Sequence, residues 1–197
     1  MADAGFPVPS VAAIRERFQP LPIALAELLL EWIPRLEEGP LQESVAWALL
    51  AARKGTLDGA KLSELFDAAS SDDLKHALAA VIHQTRPRNL GEWLLAAVRD
   101  RRSGTARNQL AAAVAKMLPS ERAIPVLLEV FYEAPLAAVH PLGKVGDVHA
   151  RDILAAALPT ATGPLRRELR QAIARIERRC AKHSLRRPGE DSPPNSF

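Results

Sequence analysis

Three groups of residues have the types that do chemistry. The first is the run LGKVGDVHARDIL at 142 to 154, where Gly143 and Gly146 stand three apart and Asp147 follows. Such a run is a candidate phosphate cradle, because glycines let the main chain approach an anion and free N–H groups bind it. A cradle of that kind follows a strand and has GxGxxG or P-loop spacing. Here the preceding PLAAVHPLGKV is rich in Ala and Leu without β-branched alternation, which predicts a helix, and neither spacing is present. The run is therefore expected to be a joint between helices, with Gly146 as a left-handed closing residue and Asp147 as the cap of the next helix.

The second group is His76, His83 and Asp72, which fall on nearly one face of a predicted helix. Two imidazoles and a carboxylate could hold zinc, but HExxH spacing is absent and no further ligand is tied to them, so a solvated face is expected and no metal. His149 with Asp152 has the same weakness. No GxSxG elbow exists, and the single cysteine, Cys180, sits among RRCAK at the expected fraying end of the last helix. Catalytic residues, a cofactor and a small-molecule substrate are accordingly not expected, and the chain reads as a non-enzyme. One cysteine also excludes an internal disulfide and fits a reducing compartment.

The third group is the basic segment PLRRELRQAIARIERRCAKHSLRR. Residues 164 to 187 hold 9 Lys+Arg against 2 Asp+Glu, whereas residues 1 to 163 hold 17 against 19, so the net charge of +3 conceals one cationic element. Its apolar stripe is Leu165, Leu169, Ala172, Ile173 and Ile176, with Arg167, Arg175 and Arg178 on the far side. It fits a polar cap ending a helical array, or a phosphate-contacting surface helped by a second cluster of Arg86, Arg88, Arg99, Arg101, Arg102 and Arg107. The stripe is short and lacks the aromatics of a membrane-surface helix, and no membrane partner is expected.

These residues need elements to position them. The chain is 48% hydrophobic but only 5% aromatic, so its apolar content is mostly Ala and Leu, both strong helix formers. Prolines 22, 40, 135 and 164 fall at helix starts. Caps, prolines and apolar spacing predict a short helix over 10–18 and then antiparallel pairs: 22–36 with 40–54, 59–69 with 71–85, 90–102 with 105–117, 121–133 with 135–145, and 148–158 with 164–180. Cap candidates are Ser70 or Ser71, Thr105, Ser120 and Asp147; Pro125 and Pro141 fall inside helices. Trp32 and Trp93, set among leucines, are expected in the core. The N-terminal MADAGFPVPSVAA lacks a basic flank and an apolar core, which suggests a cytoplasmic protein.

First helices begin near 22, 59, 90, 121 and 148, steps of 37, 31, 31 and 27 residues, the mark of stacked helical hairpins. The junction LGKVGDVHARDILAAAL at 142 to 158 resembles that of HEAT-like repeats of the PBS-lyase type, in which a helix ends in a small-residue turn, an Asp follows, and Ala and Leu lead the next helix. The preceding junction, KMLPSERAIPVLLEV, keeps Ala123 and Leu127 but has Pro-Ser in place of Gly-Asp. The resemblance implies an all-α fold, a right-handed α-solenoid of about five antiparallel helix pairs. A single domain over 1–181 and a disordered tail over 182–197 complete the expected organisation.

Second helices share an i, i+4, i+7 stripe: Val45, Leu49, Ala52; Leu74, Leu78, Val81; Leu110, Val114, Met117; Ala138, Leu142, Val145; Leu169, Ile173, Ile176. Opposite it run columns containing Trp47, His76, His140 and Gln171, then Lys116, Lys144 and Arg175, then Asn108, Leu136 and Arg167. In HEAT-like solenoids second helices line the concave surface. The resemblance thus implies that Trp47, His76, Asn108, Lys116, His140, Lys144, Arg167, Gln171 and Arg175 bind a protein partner, as in a scaffold, adaptor, inhibitor or immunity-type protein. Trp47 fits burial against the next pair equally well. The alternative is a nucleic-acid-binding HEAT-like protein of DNA-glycosylase type using the basic C-terminal helices, although Asn108, Ala112 and His140 lack the acidic residue and aromatics such an enzyme places at its groove centre.

Overall fold

The computed structural model describes residues 10 to 37 and 39 to 185. Among the described residues the fold is all-helical with no strand, and a single bridge pairs Leu21 with Ala52. A first compact unit, up to Pro119, holds α1 (Val11–Arg17), α2 (Ile23–Trp32), α3 (Pro40–Ala48), α4 (Gly59–Ala68), α5 (Asp72–Thr85), α6 (Gly91–Arg99) and α7 (Arg107–Met117). A second unit, from Ser120, holds α8 (Ser120–Glu133), α9 (Pro135–Val145), α10 (Val148–Ala157) and α11 (Gly163–Leu185).

Every helix expected from the spacing is present, and the differences lie at the ends. The helix expected over 22–36 stops at Trp32 and tightens into a 3-10 turn, Ile33–Arg35, where Pro34 has no N–H for the α-helical ladder. The one expected over 40–54 stops at Ala48; a 3-10 turn, Leu49–Ala51, follows, and the Leu21 N–H donates to Ala51 O at 2.8 Å. Ser71 and Asp147 cap α5 and α10 as expected, accepting from the N–H groups of Leu74 and Ala150. Thr105 does not cap: it lies in a 3-10 segment, Arg101–Ala106, whose cap is Asp100. Ser120 is the first residue of α8. Helix α11 runs on to Leu185, past the expected end near residue 180, and residues 186 to 197 of the expected tail lie outside the described residues.

The inward stripes are largely buried, with Met117, Val145 and Ile173 half-buried. Val45, Leu49, Leu74, Leu78, Leu110 and Val114 in the first unit, and Ala138, Leu142, Leu169 and Ile176 in the second, have almost no exposed surface. Trp32 and Trp93 are half-buried rather than in the core. The Trp93 indole N–H must find an acceptor, and it donates to Asp67 Oδ2 at 3.0 Å while the ring stands edge-on to Phe66.

Within the first unit α5 packs on α4, α3 and α7, and α6 packs on α7. The Asp72 carboxylate faces Gly104, and His83 Nδ1 lies 3.1 Å from Gln109 Oε1, so α5 and the chain entering α7 run in the same direction. Within the second unit α9 packs on α8 and α11, and α10 packs on α11. A Cβ at Gly143 would stand 2.9 Å from Ala172 Cα, and one at Gly146 would stand 3.1 Å from Ile176 Cδ1, so α9 and α11 also run in the same direction.

Ala normally stabilises a helix interior by about 0.5–1 kcal/mol over Gly. At Gly143 the opposing contact is backbone and cannot rotate away, so Gly143→Ala should destabilise by about 1–3 kcal/mol. Urea unfolding followed by circular dichroism measures this, and a more stable variant would contradict the close approach of α9 and α11.

Candidate functional site

The Gly-rich run decides whether the second unit holds an anion or a helix joint. Two of its N–H groups are engaged in closing one helix and capping the next: Gly146 N–H donates to Leu142 O at 2.7 Å, and Ala150 N–H to Asp147 Oδ1 at 2.9 Å. Its carbonyls face a cation. The Arg179 guanidinium on α11 donates to Gly143 O at 3.3 Å and also to Lys144 O and Gly146 O. Positive charge at a helix C-terminus meets the negative end of the macrodipole and satisfies carbonyls that have no helical partner. The run is a joint closed by an arginine.

The conformation of Gly146 differs from the expected one. Its φ of −57° and ψ of 148° are open to any residue, so it is not a left-handed closing residue. Glycine is needed there for room: a Cβ would come within 2.6 Å of Leu142 O and 3.0 Å of Ala150 Cβ.

Among the expected contact residues, two pairs meet across helices. In the first unit the Trp47 ring on α3 and the His76 ring on α5, both half-buried, lie 6.0 Å apart at 55°. Trp47 is thus partly covered by the next second helix and partly open. Asn108 is exposed at the start of α7, and Lys116, half-buried near its end, is engaged in an interaction of its own.

In the second unit Arg175 Nη1 on α11 lies 3.0 Å from His140 Nδ1 on α9. A guanidinium only donates, so Nδ1 accepts and the imidazole is neutral with its proton on Nε2. Burial first, then the Lys144 and Arg175 cations, push His140 below its ordinary value of 6.5, with Glu168 opposing them. Lys144 is exposed one turn along α9. Arg167 and Gln171 are exposed on α11, and Arg167 Nε lies 3.8 Å from Glu168 Oε1.

The basic residues divide by role. Arg166, Arg167, Arg170, Arg178 and Lys182 are exposed on α11, whereas Arg175 and Arg179 are half-buried and hold α9. In the second cluster Arg107 is buried, its Nε donating to Val98 O at 3.0 Å, and Arg102 is paired with Asp100 at 2.8 Å. No group of His, Cys, Asp and Glu side chains able to hold a metal occurs among the described residues. Cys180 is half-buried within a continuing helix rather than at a frayed end.

The sequence reading missed one feature. A cleft of about 470 Å³ in the second unit is lined by Phe131, Tyr132, Pro135, Ile153, Ala157 and Leu165 among others, and the Tyr132 residue at its rim is 71% exposed. The signal available was an aromatic pair at a helix end, FYEAP. No helix among the described residues is long and apolar enough to cross a membrane. Comparison of the chain with family models, curated proteins and solved structures finds no match.

Removing the cation from the α9 C-terminus with Arg179→Met should destabilise by about 1.5–3 kcal/mol, the range for hydrogen bonds to a charged group, as measured by urea unfolding. His140 is neutral when folded and binds its proton less readily than in the unfolded chain. Stability should therefore fall as pH drops below about 6.5 toward the lower folded value, and His140→Gln should flatten that limb of the thermal-melt profile.

Proposed function

We propose that this protein is a HEAT-like helical-repeat protein that works without catalysis, binding a protein partner through the outward columns of its second helices. The observation that carries the reading is that residues assigned to these columns from the repeat phase alone meet across neighbouring second helices, Trp47 with His76 and His140 with Arg175. Side-by-side second helices running in one direction within each unit are what stacked hairpins require. The right-handed solenoid over five pairs, and the cytoplasmic setting, belong to this same proposal. The contact set is Trp47, His76, Asn108, Lys116, His140, Lys144, Arg167, Gln171 and Arg175. A partly open Trp suits a binding centre.

The exposed cations of α11 support the second reading, a nucleic-acid surface. Two experiments separate the readings. Affinity capture from native lysate should yield a protein that Trp47→Ser and Arg167→Glu variants lose while keeping native circular dichroism. A gel shift on duplex DNA should show no complex. Steeply salt-dependent binding abolished by Arg167→Ala with Arg175→Ala would instead favour nucleic acid.

A further inference from the structure

We propose that the α9–α11 face of the second unit takes an acidic amphipathic segment of the partner protein, with a carboxylate held by Lys144 and Arg175 and an apolar side chain seated on Leu136. This rests on the protein-binding reading and names the chemistry of one part of its surface.

Leu136, His140 and Lys144 follow one another at four-residue intervals along one face of α9. Leu136 is 57% exposed and Lys144 is exposed, so the face passes from apolar to cationic over about 12 Å at the helical rise. A phosphate backbone would have no use for the leucine. A protein segment carrying an apolar residue and, two helical turns on, an Asp or Glu matches both ends. Charge complementarity points the same way: Lys144 and Arg175 gather around a neutral imidazole, and Glu168, the one acid acting there, is drawn toward Arg167.

Recognition is coupled to a proton at His140. The charged groups acting on that ring are Lys144 from its own helix and Arg175 and Glu168 from α11. Without ligand, Nδ1 accepts from Arg175 Nη1. A carboxylate brought against Lys144 favours the charged imidazole. Once protonated at Nδ1 the ring no longer accepts, and Nη1 of Arg175 turns its hydrogen to the carboxylate. Each segment bound takes up at most one proton from solvent, about a quarter to a half of one on average between about pH 7.5 and about pH 5.5.

The probe is a synthetic helical peptide with Leu and Glu eight residues apart, titrated into the full chain by calorimetry in buffers of differing ionisation enthalpy. His140 is followed by imidazole NMR. Affinity should rise about threefold to tenfold from about pH 7.5 to about pH 5.5, with proton uptake. His140→Gln should bind without that pH dependence, and Lys144→Glu, at an exposed position, should lose binding while its melt stays native. Binding untouched by Lys144→Glu, an unmoved His140 resonance, or a preference for duplex DNA over the peptide would each overturn the proposal. A partner that ignores Lys144→Glu but is lost on Trp47→Ser would overturn it while leaving the protein-binding reading intact.

Discussion

Helices α9 and α11 meet at Gly143 and Ala172 with no room for a side chain on one of them, and Arg179 crosses the same seam to close the end of α9. The two contacts depend on each other. Close approach brings a guanidinium from α11 within reach of α9 carbonyls, and that guanidinium satisfies groups which a chain turning sharply into α10 would otherwise leave bare. The rest of the second unit follows from this seam. Side chains on a helix lean toward its N-terminus, so Arg175, one turn before Arg179, reaches His140, one turn before Lys144. The same geometry that packs the helices thus assembles the cationic face.

Similar constraints act in the first unit with other residues. His83 and Gln109 link α5 to α7, and Trp47 leans on His76 where α3 meets α5. Arg107 is buried against Val98 O and works as a strut between α6 and α7. Polar residues in both units therefore serve two ends: some tie helix to helix, and others, such as Asn108, Lys144, Arg167 and Gln171, remain exposed.

Much of the helix pattern was legible because it depends on local chemistry. The oxygens of Ser71 and Asp147 cap the helices directly after them, and Pro40 and Pro135 open helices whose first N–H groups have no partner anyway. The inward stripes followed from period alone. What escaped notice depends on which partner each residue meets in the folded chain. Gly146 is required by atoms of Leu142, Ala150 and Ile176, which its own neighbours do not reveal. Arg107 and Arg102 look alike in a basic cluster, yet one finds a buried carbonyl and the other an exposed carboxylate. The cleft beside Tyr132 needs α8, α10 and the start of α11 together. A candidate site residue could thus be assigned to a face but not to its neighbour, and Trp47 stayed ambiguous for that reason.

The α9–α11 seam is the claim most open to direct measurement. Nuclear Overhauser spectra of the labelled chain should show a strong cross peak between the Gly143 α-protons and the Ala172 methyl, together with Arg179 guanidinium protons protected from exchange. A spectrum that resolves contacts between α8 and α9 but lacks that cross peak, with Arg179 exchanging as freely as an exposed arginine, would contradict the account.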